Sequence, residues 1–132
     1  MVLSSALFDR MISHCRSAYP NEACGILTGK GGTAEKLYEM TNVESSPVSY
    51  FMDPEEQFRA IKEMRKDGHV MLAIYHSHPH APAYPSGKDI RLASYPDSLY
   101  IILGLASADR PEVRAYEIVD GEVKEAKLTV QS

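Results

Sequence analysis

The chain has 132 residues, the size of one ordinary domain. Its 14 Lys and Arg against 18 Asp and Glu give a net charge of −4, without the basic excess that binding to nucleic-acid phosphates requires. With 44% hydrophobic residues the chain can form a packed core, and no apolar run approaches the roughly 20 residues of a membrane-spanning helix. We therefore expect one globular domain that binds neither nucleic acid nor membrane.

The N-terminal segment and the cysteines indicate the compartment. The opening apolar residues meet Asp9 before they could form the core of a signal peptide. Two cysteines, Cys15 and Cys24, are too few for a disulfide framework, which favours a reducing environment. We therefore predict a cytoplasmic protein.

A helix is the first element predicted along the chain. Its apolar residues recur near the 3.6-residue helical period, and they are Leu7, Phe8, Met11, Ile12, Cys15, Ala18 and Tyr19. Ser4 or Ser5 can cap the start of this helix, and Pro20 ends it. We expect His14 at the surface of the protein and Cys15 in the core.

Six strands are predicted after this helix. In chain order they are residues 24–28, 34–40, 70–75, 99–105, 113–119 and 122–130. A glycine-rich turn joins the first two into a hairpin, and Asp120-Gly121 joins the last two. The two middle strands are almost wholly apolar, as strands buried on both faces are. The final Gln131-Ser132 is expected to fray.

Two further helices complete the prediction. Asp53 can cap a helix with Pro54 in its first position and Glu56 completing a capping box, and Gly68 can end it. The buried stripe of this helix is predicted to consist of Phe58, Ile61 and Met64. A short helix is expected over residues 86–93. Strands mixed with helices predict an α/β or α+β fold, a mixed sheet flanked by two main helices and one short helix.

A cluster of histidines follows the third predicted strand. Successive side chains of a strand alternate between its faces, so His76 and His78 point the same way and Ser77 points away. These two imidazoles supply half of a metal site, and Asp89 can add an oxygen ligand if the intervening proline-rich loop folds back. Two histidines and one aspartate, with a fourth position for water, are typical of catalytic zinc. The cluster therefore predicts a hydrolase.

A metal-dependent hydrolase also needs a general base and a donor to the oxyanion. Ser86, three residues before Asp89, is suited to the donor role, and Glu22, just before the first predicted strand, is the best candidate for the base. Together, Glu22, His76-Ser77-His78-Pro79 and Ser86-Gly87-Lys88-Asp89 resemble the JAMM motif of the MPN+ metalloprotease family, which reads Glu, His-x-His, seven residues, Ser, two residues, Asp.

This resemblance implies both a fold and a set of roles. The fold would be a curved mixed sheet of the MPN, cytidine deaminase-like type, with residues 1–132 as a single catalytic domain. His76, His78 and Asp89 would bind one zinc ion per chain with water as the fourth ligand. Glu22 would act as general acid and base, and Ser86 would steady the oxyanion.

The resemblance also implies a substrate. Family members hydrolyse amide or isopeptide bonds after the Gly-Gly tail of ubiquitin-like proteins, and small prokaryotic relatives act on sulfur-carrier proteins. The tail commonly binds by strand addition, for which residues 46–52 are the candidate edge, with the loop over residues 79–85 opposite. Candidate substrate-binding residues are Val48, Tyr50 and Tyr84. Relatives often form homodimers, and the short chain leaves no room for the insertions that recognise polyubiquitin.

Simpler interpretations exist for each of these residues. Ser86 and Asp89 can form an ordinary capping box, and Glu22 alone can be a solvated carboxylate. Cys24 is better explained as a buried apolar residue than as a metal ligand, and His80 as a loop residue near the site. For the whole protein, the alternatives are a non-catalytic module that binds ubiquitin-like tails and a metallohydrolase of small amides.

Overall fold

The computed structural model describes residues 1–107 and 109–132, and in it eight strands form one sheet with three helices against it. The strands are β1 (Val2–Ser4), β2 (Cys24–Lys30), β3 (Thr33–Met40), β4 (Val70–His78), β5 (Leu99–Gly104), β6 (Glu112–Val119), β7 (Glu122–Ala126) and β8 (Thr129–Gln131). The helices are α1 (Ser5–Ala18), α2 (Pro54–Lys66) and α3 (Gly87–Leu92). No helix within these residues is long and apolar enough to cross a membrane.

The sheet is mixed, as predicted, with the order β7-β6-β5-β4-β2-β3-β1-β8. β4 runs parallel to β5, and β1 runs parallel to β3 and β8, whereas the other neighbours are antiparallel. An apolar cluster covers each face: Met11 and Cys15 of α1 pack with Tyr75 on one face, and Ala60 of α2 packs with Ile74 on the other. Because side chains alternate along β4, His76 and His78 lie on the α2 face.

α1 buries Met11 and Cys15 as predicted, but two residues of this region differ from expectation. The helix ends before Tyr19, whose side chain is exposed. His14 was expected at the surface, yet its Nδ1 lies 2.6 Å from the hydroxyl of the buried Tyr75. The prediction for His14 is wrong because the long Tyr75 side chain reaches across the core to the helix.

α2 begins where the sequence predicts, with the Asp53 side chain accepting from the amides of its first turn. Its buried stripe differs from the prediction, because Phe58 is 67% exposed, Ile61 and Met64 are only half-buried, and the small Ala60 is buried instead. Two residues along a helix turn through about 200°, so a helix that faces the sheet with Ala60 turns Phe58 toward solvent.

The two ends of the chain meet at one edge of the sheet. The predicted strand over residues 122–130 is in fact two strands, since β7 pairs with β6 while β8 crosses to pair with β1. Gln131, expected to fray, lies in β8, and β1 was not predicted. Strands of three residues are too short to show a period of two, so their pairing partners rather than their sequences define them.

Candidate metal centre and active site

Two neighbouring elements bring three metal-binding side chains together. β4 extends to His78, so both histidines lie within the strand, and their Nε2 atoms are 3.1 Å apart. Asp89 Oδ2 lies 3.1 Å from each of these nitrogens. Within the part of the chain that the structure describes, this is the one cluster of three or more such side chains that could hold a metal ion. Ser77 points away, and its Oγ accepts from the amide of Ala23.

The short helix α3 fixes the position of Asp89. Ser86 Oγ accepts from the Asp89 amide at 3.1 Å, and Asp89 Oδ2 accepts from the Ser86 amide at 2.9 Å. These two bonds form a capping box, so the simpler interpretation of this motif is correct as local structure. The same bonds aim the carboxylate at the two histidines, so the capping box and the cluster are one arrangement.

A backbone carbonyl orients His78. Its Nδ1–H donates to the carbonyl oxygen of Pro82 at 2.7 Å, which leaves Nε2 as the nitrogen that can bind a metal. The loop that carries Pro82 is anchored to the sheet at Ala83, whose carbonyl accepts from the Tyr116 hydroxyl and whose amide donates to Glu112. Sequence reasoning missed this contact, because any residue of the loop could supply a carbonyl.

His76 is held by an aromatic ring instead. The His76 side chain is buried, and its Nδ1 has no hydrogen-bond partner among the described residues. The ring of Tyr50 stacks on it with centroids 4.6 Å apart. Tyr50 was predicted to contact substrate from an exposed strand edge over residues 46–52, but this segment is a loop with a single isolated bridge between Met52 and Asn42. Residues 46–52 are therefore not a strand, although backbone amides of Glu22 and Val43 donate to the carbonyls of Ser46 and Phe51. That the substrate tail binds along this segment stays a prediction.

Glu22 lies just before β2, and only 4% of its surface is exposed. Its Oε1 atom is buried without a hydrogen-bond partner in the described part of the chain. Burial raises the pKa of Glu22 to about 7, while the neighbouring charge of His78 opposes this shift and that of Asp89 adds to it. The carboxyl group is thus a buried proton acceptor close to the cluster.

The cluster contains an ionised carboxylate, which favours a cation. Burial opposes ionisation of Asp89, but its hydrogen bonds with His76 and His78 outweigh burial and keep the Asp89 pKa well below its usual range. Burial lowers the pKa of His76 and would lower that of His78, whose bonds with Asp89 and Pro82 raise it instead. A tetrahedral zinc ion holds ligand atoms about 3.3 Å apart, close to the observed 3.1 Å triangle. The residues present therefore fit a zinc ion.

A cavity of about 320 Å³ opens beside Asp89. Its lining is largely apolar or aromatic and includes Tyr50, Phe51, Met52, Ile74, Leu92, Tyr95 and Tyr100. Of the other predicted contacts, Val48 is 77% exposed on its loop, and Tyr84 is 55% exposed and packs edge-on against Tyr116. The cavity therefore extends from Asp89 of the metal cluster along a lining rich in aromatic side chains.

Two other residues near the site, His80 and Cys24, do not contact the metal-binding cluster as ligands. His80 packs edge-on against Tyr19 with ring centroids 5.6 Å apart. Cys24 is fully buried among apolar side chains, and burial raises its thiol pKa to about 12. A thiol that resists ionisation is a poor metal ligand, in agreement with the apolar role predicted for Cys24.

Residues 4–119 match the family described as prokaryotic homologues of the JAB domain. The chain is 39% identical over 132 residues to the CysO-cysteine peptidase of Mycobacterium tuberculosis, covering 98% of this chain and 90% of that protein. It is 33% identical over 117 residues to the probable TtuB-protein conjugate cleaving protease of Thermus thermophilus, covering 88% and 74%. A JAB1/MPN domain protein from Archaeoglobus fulgidus superposes with a TM-score of 0.67 at 20% identity, covering 100% of both chains. This last likeness shows that the predicted MPN fold is correct.

Proposed function

The chain belongs to the family of prokaryotic homologues of the JAB domain and is a peptidase, and from this premise we propose that it cleaves conjugates of a ubiquitin-like or sulfur-carrier protein. The bond cleaved is the amide between the carrier's C-terminal Gly-Gly tail and an amine. The observation that carries the proposal is the 3.1 Å triangle of two imidazole nitrogens and one carboxylate oxygen close to the buried Glu22.

The names of the two relatives support this substrate class. One is a peptidase whose name gives CysO-cysteine as its substrate, and the other is a protease whose name gives TtuB-protein conjugates. Both names describe a bond between a named protein and an amino acid or another protein. A carrier conjugate is therefore a better first substrate for this chain than a free peptide.

His76, His78 and Asp89 are the residues that would hold one zinc ion per chain. When bound, such an ion polarises a carbonyl group and lowers the pKa of a water molecule to about 7. The chain's own hydrogen bonds orient two of the three ligands, because the Pro82 carbonyl sets the His78 ring and the Ser86 amide sets the Asp89 carboxylate. Preset ligands lower the cost of ordering the site when the ion binds.

Glu22 carries the proton in this mechanism. Its carboxylate accepts a proton from the attacking water and later donates it to the leaving amine. Burial raises the pKa of Glu22 to about 7, so near neutral pH the carboxyl group can both take up and release this proton. A carboxylate with an ordinary pKa would be a weaker base and would accept the proton from water less readily.

Ser86 stabilises the charge that develops on the scissile carbonyl oxygen. Its Oγ accepts from the Asp89 amide, which leaves its own hydroxyl hydrogen available for donation. The hydroxyl is held at the start of α3, so it is already oriented when the oxyanion forms.

The substrate tail would pass between the loop that carries Val48 and Tyr50 and the loop that carries Tyr84. Each loop contacts one of the metal-binding histidines, since Tyr50 stacks on His76 and the Pro82 carbonyl binds His78. Exposed apolar side chains such as Val48 and Tyr84 suit a binding surface. Glycines at the tip of a tail would let its backbone approach the metal closely.

The test is cleavage of a folded carrier conjugate, compared with a short peptide that has the same last residues. Wild type should cleave the folded conjugate faster, and Glu22→Gln should lower kcat by about 10²- to 10⁴-fold while keeping its zinc. The matched control is Glu117→Gln, a change of the same kind at an exposed position of β6, which should keep full activity.

Two outcomes would favour the alternatives. Equal cleavage of the short peptide would indicate a small-amide hydrolase. Binding of the carrier without any cleavage would indicate a non-catalytic module. Full activity in Glu22→Gln would contradict the role given to Glu22.

A further inference from the structure

One side chain, that of Asn42, closes the loop between β3 and α2. Its amide nitrogen donates to the carbonyl oxygens of Glu22 and Ser49, both at 3.0 Å. Its amide oxygen accepts from the amides of Glu44 at 3.1 Å and Phe51 at 3.0 Å. These four bonds use both donors and both acceptor positions of the Asn42 amide group, so no other side chain can replace it bond for bond.

The closed loop holds the backbone of Glu22 at two points. The Glu22 carbonyl accepts from Asn42, and the Glu22 amide donates to the carbonyl of Ser46 at 2.8 Å. Ser46 lies inside the loop that Asn42 closes, so both bonds depend on the same closure. The next residue is tied to β4 instead, through Ala23 and Ser77.

The side chain of Glu22 has no comparable support. Its Oε1 atom is buried and makes no hydrogen bond to the residues that the structure describes. The location of this oxygen is therefore set by the Glu22 backbone and by packing. The same loop carries Tyr50, whose ring stacks on His76. The hydrogen bonds of Asn42 therefore hold both the backbone of Glu22 and the loop whose aromatic ring packs against the metal cluster.

We propose that Asn42 is a positioning residue for Glu22, whose backbone it fixes beside the metal cluster. The inference rests on the proposed role of Glu22 as the base. The hydrogen bonds of Asn42 go to backbone groups and not to the three ligand side chains, and Asn42 does not line the cavity beside Asp89. Its direct bond to the site is to the backbone of Glu22, and its bonds to Ser49 and Phe51 also hold the loop that carries Tyr50.

Asn42→Asp is the most specific variant. Aspartate has the shape of asparagine and can still accept the bonds from Glu44 and Phe51, but it cannot donate to the carbonyls of Glu22 and Ser49. The matched control is Asn21→Asp, which changes the chain's other asparagine and adds the same charge beside Glu22 in sequence. Amide hydrogen exchange of Glu22 should become about tenfold faster or more in Asn42→Asp, and should be unchanged in Asn21→Asp. Unchanged exchange of Glu22 in Asn42→Asp would overturn the proposal.

Activity on the carrier conjugate gives a second readout. Asn42→Asp should lower kcat by about 10²-fold, with little change in KM or in zinc content, because a catalytic group displaced by about 1 Å loses that much rate. In a Glu22→Gln background the same substitution should lower kcat by a much smaller factor, since the ionisable group it positions is already gone. An equal loss in both backgrounds would contradict positioning through Glu22.

These readouts separate the two proposals. A wild-type protein that cleaves no conjugate would refute the proposed function, while hydrogen exchange would still report on the loop that Asn42 closes.

If Asn42→Asp does not fold, the same question can be tested on the wild-type protein. The amides of Glu22, Glu44 and Phe51 should then show one common protection factor, and widely different factors would overturn the proposal.

Discussion

The two histidines of the cluster are oriented by different forces. His78 donates a directional hydrogen bond to the Pro82 carbonyl, whereas His76 Nδ1 has no hydrogen-bond partner in the described residues and its ring rests on Tyr50. A stacked ring holds its neighbour through contact area rather than through a fixed bond direction. The metal affinity should therefore depend on an aromatic ring at position 50 and not on its hydroxyl group.

Two substitutions of Tyr50 separate the ring from the hydroxyl. Tyr50→Leu should weaken zinc binding by about 10- to 100-fold, because supports of metal ligands contribute affinity of that size, and Tyr50→Phe should bind as the wild type does. Zinc affinity can be measured by competition with a chromogenic chelator. Equal affinities of the leucine and phenylalanine variants would show that stacking does not orient His76.

The raised pKa of Glu22 predicts how the stability of the metal-free protein depends on pH. The pKa is about 7 in the folded state against 4.5 for the free group, so the folded state binds this proton more tightly than the unfolded state does. Stability therefore decreases as the pH rises from about 4.5 to 7. Glu22→Gln cannot ionise and escapes this loss.

Urea unfolding of the chelated protein at pH 5 and pH 8 measures this effect. Glu22→Gln should be more stable than the wild type by roughly 3 kcal/mol at pH 8 but by less than about 1 kcal/mol at pH 5. A stability difference that is the same at both pH values would mean that Glu22 ionises in the folded state as freely as it does in solution.

The candidate residues that the sequence could predict are those held by local geometry. His76 and His78 share a face because strands alternate, and Ser86 and Asp89 meet because three residues span one helical turn. The Pro82 carbonyl, the ring of Tyr50 and the amide of Asn42 could not be predicted, because each reaches its partner through an irregular loop.

At the scale of elements, the start of α3 both caps the helix and supplies residues of the candidate site. Its N-cap, Ser86, closes the capping box, and the other member of that box is Asp89. A change at Ser86 therefore affects both the stability of the helix and the chemistry of the site. Substitutions that differ in capping strength can separate these effects.

Ser86→Ala and Ser86→Gly both remove the hydroxyl donor, but glycine is a much better N-cap than alanine. Alanine should lower the free energy of unfolding by about 1 kcal/mol and glycine by only a few tenths. Both should lower kcat by about 10²- to 10³-fold, the usual loss of one oxyanion donor. Stability is measured by urea unfolding. Full activity of Ser86→Gly would assign Ser86 to helix capping alone.

The elements that the sequence predicts best are those with long, regular patterns. β4 and β5 are recognisable as apolar runs, and α2 by its Asp-Pro start. β1 and β8 were missed or merged because three residues carry no periodic signal, and they form by pairing with each other and, for β1, with β3. The Phe58 error has a similar cause, since the face that α2 turns to the sheet is decided by tertiary packing.

In the whole molecule, the two faces of the sheet have separate roles. The α1 face buries Tyr75 and its apolar neighbours, and the α2 face carries the metal cluster, Glu22 and the aromatic cavity. Three irregular segments meet on that side: the turn before β2, the loop closed by Asn42, and the loop of Pro82. That residues 1–132 act as one catalytic domain, in the cytoplasm and as a homodimer, stays a prediction.

The central claim is that the cluster of His76, His78 and Asp89 must hold zinc for a carrier conjugate to be cleaved. The most direct measurement follows cleavage by mass spectrometry in one preparation with its metal content known, first after chelation and then after zinc or magnesium is returned. We expect no cleavage after chelation and recovery at one zinc ion per chain, with no recovery from magnesium, which prefers oxygen ligands. Undiminished cleavage by protein shown to be free of metal would contradict the claim.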